Sequence, residues 1–165
     1  MSAPGITLLE LLADNQAATE KWNAWFHANP AALDVPCDIY NSGTVRGLLK
    51  HIFAVELRHS QRLLGEEVIA YEAIPVSSLV PLIEVHEQAV RNLRKFLAMA
   101  DMTALQEIIT LQTVSAGTLH ASRRKLFTHI LLHSIRHWAQ LSTILRESGY
   151  STNWPKDFLF SDAMA

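Results

Sequence analysis

The sequence predicts an all-α fold, and three observations support this class. Four long segments repeat their apolar residues with the helical period of about 3.6. Prolines, glycines, asparagines and serines, which favour turns and helix ends, separate these segments. The chain has 165 residues, 49% of them hydrophobic and 18% charged, which suits one ordinary domain with a sizeable core. We therefore expect residues 1–165 to form a single domain built as a four-helix bundle.

The first two helices are predicted from their apolar stripes and their end signals. The first covers about residues 6–28 and stops before Pro30, because the residue that precedes a proline disfavours helical geometry. After a loop rich in proline and turn residues, the second helix covers about residues 44–64. Gly65 can adopt the left-handed conformation that commonly ends a helix.

Serine residues mark the start of the other two helices. The third helix begins at Ser77 or Ser78 and continues to about Met99, and Ser122 begins the last helix, which continues to about Glu147. A serine hydroxyl at these positions can accept a hydrogen bond from a free amide of the first turn. The bundle therefore has long helices on both sides of residues 101–121.

The pattern weakens between residues 101 and 121. Residues 108–114 are rich in β-prone side chains, and Ser115-Ala116-Gly117 is typical of a turn. We expect either a short hairpin or an irregular crossover before the last helix.

Charge and composition exclude several classes of partner. A formal net charge of -2 and a pI near 6.4 give no positive surface for nucleic acid or an anionic membrane. No uncharged apolar run is long enough to cross a bilayer, and the first residues do not resemble a signal peptide. Cys37 is the single cysteine, so no disulfide can form within the chain. We expect a cytoplasmic protein that acts on a small molecule.

Three histidines in the last helix are the strongest sign of chemistry. His129, His133 and His137 follow one another at intervals of four residues. Side chains four residues apart on a helix lie about 40° apart around the axis and about 6 Å along it, so two rings can share an ion. His129 and His137 are about 12 Å apart along the axis and are too distant to share one. A site would use either the first two or the last two of the three.

A third ligand must come from another helix. His51 is the natural choice because it lies in the middle of the second helix among apolar residues, and His59, near the end of that helix, is a weaker choice. Glu56 is discounted because, five residues after His51, it points about 140° away around the axis. The alternative to a metal site is that these histidines are hydrogen-bonded core residues. This reading is kept for four of the eight histidines: His27, His59, His86 and His120.

Several stretches of the chain resemble the DinB/YfiT-like superfamily of metal-binding four-helix-bundle proteins. They are residues 42–52 with Glu56 and Gly65, residues 129–141, residues 145–150 and residues 157–159. The resemblance covers nearly the whole length. It implies an all-α four-helix bundle of the DinB/YfiT-like type.

The resemblance also implies a ligand set. In that superfamily one histidine of the second helix and a His-x3-His pair of the last helix bind a divalent metal, and a glutamine follows three residues after the second of the pair. Gln140 stands at that position after His137, so the implied ligands are His51, His133 and His137. His129 is then a neighbour of the site.

The resemblance gives less guidance on the reaction. Trp138 and Ala139 stand where arginine and glycine are usual, so contacts made through that arginine do not carry over. Members include metal-dependent transferases that use low-molecular-weight thiols, a maleylpyruvate isomerase and proposed hydrolases, several of them dimeric. The expectation is an open site for a divalent metal, zinc or nickel first, in a thiol S-transferase that acts on small electrophiles and forms a homodimer. The alternatives are a metal-dependent hydrolase and a non-catalytic, stress-associated metal-binding or interaction protein.

Two further features near the expected site have a functional and an ordinary interpretation. Gln140, one turn after His137, could orient a bound water or substrate from outside the ligand set. The basic cluster Arg123-Arg124-Lys125 in the first turn of the last helix could bind the carboxylates of a thiol, or could be a solvated surface cluster. No acidic residue is placed by helical spacing beside the expected ligands as a general base, which disfavours the hydrolase more than the transferase.

Overall fold

A computed structural model describes residues 5–113 and 117–163 of the chain. Within these ranges the protein is mostly helical, as predicted, with two small antiparallel sheets. No helix in them is both long and apolar enough to cross a membrane. The helices are α1 (Leu8–Ala28), α2 (Val45–Leu64), α3 (Leu79–Met99), α4 (Met102–Gln106) and α5 (Arg123–Glu147). The strands are β1 (Pro36–Cys37), β2 (Gly43–Thr44), β3 (Ile108–Thr113) and β4 (Gly117–Ser122).

Local hydrogen bonds explain where α1 and α2 begin and end. The Thr7 hydroxyl accepts from the Glu10 amide, and the Glu10 carboxylate accepts from the Thr7 amide, which completes a capping box. The Thr44 hydroxyl caps α2 by accepting from the Gly47 amide at 3.2 Å. The helix ends at Gly65, whose φ of 68° lies in the left-handed region that favours glycine. The predicted ranges of both helices are therefore correct to within two residues.

The predicted serine caps of α3 and α5 differ in their hydrogen bonds. Ser122 caps α5 by accepting from the Lys125 amide at 3.1 Å. Ser78 has the expected position before α3, but its side chain makes no capping hydrogen bond. The ranges of α3 and α5 agree with the prediction because apolar burial extends along each helix.

The segment before α5 contains a hairpin rather than an irregular crossover. β3 and β4 pair antiparallel, with Ile108 opposite Ser122 and Leu111 opposite Leu119. Leu111 is buried against the helical core, so the hairpin closes one side of it. The predicted turn, residues 115–117, lies mostly outside the described residues. The short helix α4, which precedes the hairpin, was not predicted.

The four long helices surround a shared interior. α2 contacts both α3 and α5, and α1 contacts the same two helices from the opposite side. Aromatic stacking fills one half of this interior, where the Trp22 ring lies 5.7 Å from Trp138 and 5.8 Å from Phe26, centroid to centroid. In the other half, Phe127 stacks on Phe96. The helices therefore meet in the order α1, α3, α2, α5 around the core.

One buried carboxylate joins all four long helices. Glu56 of α2 is 1% exposed. Its Oε2 accepts from Nδ1 of His86 in α3 at 2.6 Å, and its Oε1 accepts from Ser134 Oγ in α5 at 2.7 Å and from Asn15 Nδ2 in α1 at 3.0 Å. Burial alone would raise the pKa of Glu56, but the charge of His86 and these hydrogen bonds lower it below its usual value. Glu56 in turn raises the pKa of His86 against the opposing effect of burial.

We expect His86→Leu to lower the free energy of unfolding by about 3–5 kcal/mol, because it leaves the buried Glu56 charge without its cationic partner. The loss should be largest between pH 4.5 and 6.5, the ordinary pKa values of the two groups. At lower pH the Glu56 contribution disappears as its lowered pKa is passed, and at higher pH the His86 contribution disappears as its raised pKa is passed. Urea unfolding of both proteins across this range measures the difference.

The matched control is His120→Leu, which removes an exposed histidine of the hairpin. It should change the free energy of unfolding by less than about 1 kcal/mol. A difference between wild type and His86→Leu that does not vary with pH would contradict the ion pair.

Candidate metal centre

Three histidine side chains converge between α2 and α5. The Nε2 atom of His133 lies 3.1 Å from the Nε2 atoms of both His51 and His137. His133 and His137 are 8% and 1% exposed, and His51 is half-buried. The structure therefore brings together the three residues that the resemblance implies as ligands.

Helical geometry explains this convergence. His133 and His137 are four residues apart on the buried face of α5, so their rings project in nearly the same direction. His51 lies opposite them on α2, between the fully buried Leu49 and Ile52. Because these apolar neighbours fix the rotation of α2 about its axis, the His51 ring is directed toward α5.

The donor set fits a divalent ion of the transition series. Two ring nitrogens that each lie about 2.0–2.1 Å from a tetrahedral ion are about 3.4 Å apart, close to the observed separations. Imidazole is the ligand that zinc, nickel, copper and iron share. In the described residues the cluster contains only these three potential ligands, so an ion held by them would keep a position open.

The local environment keeps the three rings neutral. Burial is the largest cause that lowers the pKa of His51 to about 4 and the pKa of His133 to about 2. Burial and Arg136 also lower the pKa of His137. Neutral imidazoles have the free lone pair that a metal requires.

A positive charge lies beside the cluster. An Nη2 atom of Arg136 lies 3.4 Å from His137 Nε2, and its charge lowers the pKa of His51, His133 and His137. Among the described residues, no carboxylate is close enough to influence the pKa of any of the three rings. An ion bound here would add to this positive charge, so the open side of the site favours an anionic group.

Tyr40 covers part of the site and was missed in the sequence. Its ring stacks on His51 at a centroid distance of 4.5 Å and meets His137 edge-on at 6.4 Å. Tyr40 and Asn41 both have φ of 55°, a left-handed backbone that non-glycine residues rarely adopt. The turn-forming residues 41–43 were the available signal, but they did not indicate that the loop between α1 and α2 folds back over the second helix.

Two more histidines extend the cluster without joining the ligand set. The exposed ring of His129 lies 5.6 Å from His133, and the ring of His59 lies 5.9 Å from His129. Burial and the nearby Arg62 lower the pKa of His59 to about 3. The α5 geometry therefore excludes His129 from the set, and α2 places His59 about two turns from His51.

Gln140 lies next to the three histidines, whereas the basic cluster Arg123-Arg124-Lys125 does not. Gln140 lies beside His137, and its buried Oε1 has no hydrogen-bond partner within the described residues. In the basic cluster, Arg123 forms an ion pair with Glu107 at 3.2 Å. The cluster begins ten residues before His133, about 15 Å along α5, so it does not border the three rings.

The remaining histidines have ordinary structural roles. His86 is buried in the ion pair with Glu56. His120 is exposed and shares a hydrogen bond of 3.2 Å with Thr110 on the hairpin, and His27 is exposed near the end of α1. Glu56 itself is directed into the core and away from the three rings, as its helical position predicts.

These observations define a class: a mostly helical protein with three convergent histidines that could bind a metal ion. Residues 1–163 match the sequence profile of the DinB family. Because that match covers nearly the whole chain, the protein belongs to the DinB family. No curated protein gives a significant match to the chain. Family membership and the histidine cluster together support a metal-binding, DinB-like protein.

We expect metal-stripped wild-type protein to bind about one Zn²⁺ or Ni²⁺ per chain. His133→Ala should weaken binding by more than about a hundredfold, since loss of even a hydrogen-bond partner of a ligand costs about 10–100-fold. Calorimetric titration and metal analysis of the purified proteins provide the measurement.

His129→Ala is the matched control, because it removes an imidazole from the same helix four residues earlier. Its affinity should stay within about threefold of wild type. Equal weakening by both substitutions, or equal near-zero occupancy in wild type and His133→Ala, would rule out the proposed ligand set.

Proposed function

We propose that this protein is a metal-dependent thiol S-transferase that joins a low-molecular-weight thiol to small electrophilic molecules. The observation that carries the proposal is the set of three neutral imidazoles, in which His133 Nε2 lies 3.1 Å from Nε2 of His51 and of His137, with no fourth protein ligand among the described residues. An open position beside three imidazoles is typical of catalytic rather than structural metal sites.

His51, His133 and His137 would hold the divalent ion, with zinc or nickel as the first choices from the family resemblance. When bound, the ion would supply a Lewis acid that favours the thiolate form of a thiol near neutral pH. Burial of the rings supports this role, because it keeps their lone pairs unprotonated.

The surrounding side chains would position the thiol. Arg136 supplies an exposed guanidinium next to the Nε2 atom of His137, where it can pair with a carboxylate of the thiol substrate. Tyr40, stacked on His51, limits access of water to that ring. Both residues come from outside the ligand set, so they can influence substrate binding without changing the ligands.

The charge around the site favours transfer over hydrolysis. A hydrolase needs a base to take a proton from water, and among the described residues no carboxylate joins the group of three histidines. Addition of a thiol to an epoxide forms one S–C bond, breaks one C–O bond and moves the thiol proton to the released oxygen. Addition to an activated alkene forms one S–C bond, converts the C=C bond to a single bond and moves the proton to the other carbon. The addition therefore requires no oxidant or reductant.

The proposal also includes the domain organisation, the cellular compartment and the oligomeric state. We propose that residues 1–165 form one four-helix-bundle domain of the DinB/YfiT-like type, acting in the cytoplasm as a homodimer. Its partner in the reaction is a small molecule.

We expect the zinc- or nickel-loaded protein to accelerate addition of at least one member of a panel of cellular thiols to a generic epoxide or activated alkene. The rate should vanish after chelation and in His133→Ala, because the thiol would lose its metal. Absorbance or mass spectrometry of the conjugate measures the rate. Stoichiometric metal binding without turnover for any thiol would overturn the transferase and leave the non-catalytic metal-binding alternative.

We expect Arg136→Gln to raise KM for an anionic thiol about tenfold, equivalent to about 1.4 kcal/mol, with kcat changed less than about threefold. Arg124→Gln removes an exposed arginine from the first turn of the same helix and is the matched control. Steady-state kinetics with both variants provide the comparison. Equal KM values for Arg136→Gln and wild type would remove this arginine from substrate binding.

A further inference from the structure

The three candidate ligands lack the hydrogen bonds that usually orient metal-binding histidines. Such a histidine binds the ion through one ring nitrogen and donates from the other to a carboxylate, a carbonyl or water, which fixes the ring. The Nδ1 atoms of His133 and His137 are buried and have no hydrogen-bond partner among the described residues. Within residues 5–113 and 117–163, the one hydrogen-bonding contact of His51 joins its Nε2 to His133. A different interaction therefore orients His51, the most exposed of the three rings.

Tyr40 supplies such an interaction. Its ring and the ring of His51 stack with centroids 4.5 Å apart and planes 23° apart, and Tyr40 also meets His137 edge-on. The last side-chain torsion of a histidine is broad, so the ring of a half-buried histidine is loosely defined without a contact. Rotation about this bond would break the stack with Tyr40. The stack therefore favours the orientation that directs His51 Nε2 toward His133.

The backbone of the loop before α2 fixes the position of the Tyr40 ring. Tyr40 and Asn41 both have φ of 55°, a conformation that costs free energy in a residue with a side chain. The pairing of β1 with β2 closes this loop. Gly47, one turn before His51, allows the loop to lie directly on α2, because a Cβ at this position would overlap the Ser42 carbonyl oxygen. The strained loop is therefore packed against the same face of α2 that carries His51.

The stack should become stronger when an ion binds. A metal draws electron density from an imidazole that coordinates it, so the His51 ring becomes electron-poor. The face of a tyrosine ring is electron-rich and attracts such a group. Tyr40 is 60% exposed, so its ring contributes little to the core. Its contact with His51 therefore favours the metal-bound protein over the metal-free protein.

We propose that Tyr40 is a positioning residue of the candidate metal centre. Its stacked ring keeps His51 in the orientation that binds an ion, in place of the hydrogen bond that a metal-binding histidine usually makes from its other nitrogen. Burial restricts the rings of His133 and His137 instead. The proposal rests on the three-histidine site of the proposed function and adds a residue from outside its ligand set.

The test is calorimetric titration of metal-free protein with Zn²⁺ in the presence of a competing chelator. Tyr40→Gly and Tyr40→Leu remove the ring, and each should weaken Zn²⁺ binding about fivefold, the contribution of one aromatic stack. Tyr40→Phe keeps the ring and should restore an affinity within about twofold of wild type. Equal affinities for wild type and both variants without the ring would overturn the proposal.

Asn41→Gly is the matched control, because it changes the other left-handed residue of the loop without removing a ring. Its Zn²⁺ affinity should stay within about twofold of wild type. Glycine adopts this φ without strain, so neither Tyr40→Gly nor Asn41→Gly should lower the midpoint of unfolding in urea. If Asn41→Gly weakened Zn²⁺ binding as much as Tyr40→Gly, the effect would belong to the loop backbone and the proposal would be wrong.

NMR of the metal-free protein tests the orientation of His51 without an ion. The ring current of residue 40 should shift the His51 ring protons upfield in wild type and in Tyr40→Phe, and the shift should disappear in Tyr40→Leu. Identical His51 signals in all three proteins would contradict the stack. None of these measurements uses a thiol or an electrophile. Absence of turnover would therefore overturn the transferase alone, whereas absence of Zn²⁺ binding would overturn both the ligand set and the role of Tyr40.

Discussion

The buried carboxylate of Glu56 is the interaction on which the rest of the structure depends. A charge in the core is costly unless hydrogen bonds and an opposite charge accompany it, and here the partners come from three other helices. Asn15 of α1, His86 of α3 and Ser134 of α5 each form a hydrogen bond with this one side chain of α2. Apolar packing could tolerate small rotations of each helix, but these three directional hydrogen bonds could not, so they select one arrangement of the helices.

The hydrogen bonds of Glu56 also help to position the three histidines of the candidate metal centre. Ser134, which donates to Glu56, follows directly after His133, so the hydrogen bond that anchors α5 also sets the rotation of the helix that carries two of the three rings. On α2, Glu56 comes five residues after His51 and points to a different side of the helix. α2 therefore directs the Glu56 carboxylate into the core and the His51 ring toward α5. The same carboxylate orients His86, which lines a cleft between α1 and α3.

The charges near the three histidines, between α2 and α5, differ from the charges between α1 and α3. Around the three histidines the influential charges are cationic, chiefly Arg136, and the rings stay neutral because they are buried. In a cleft between α1 and α3, Glu87 pairs with Arg91 at 3.9 Å, and the buried His86 is paired with the Glu56 carboxylate. The pKa of His86 is thus raised and the pKa values of His51, His133 and His137 are lowered, since Glu56 accompanies His86 and, among the described residues, no carboxylate joins the group of three rings.

Helix periodicity and end signals in the sequence determined the mostly helical class and the ranges of α1, α2, α3 and α5, because both depend on residues within a few positions of each other. The four-residue spacing also limited any shared ion to two of the three α5 histidines, and the family resemblance selected His133, His137 and His51. Tertiary structure alone decided the rest. It placed Tyr40 over His51, joined Glu56 to His86 and left a cleft between α1 and α3. Each of these contacts joins residues from different elements, and no local pattern specifies how a loop folds back or how far two helices stand apart.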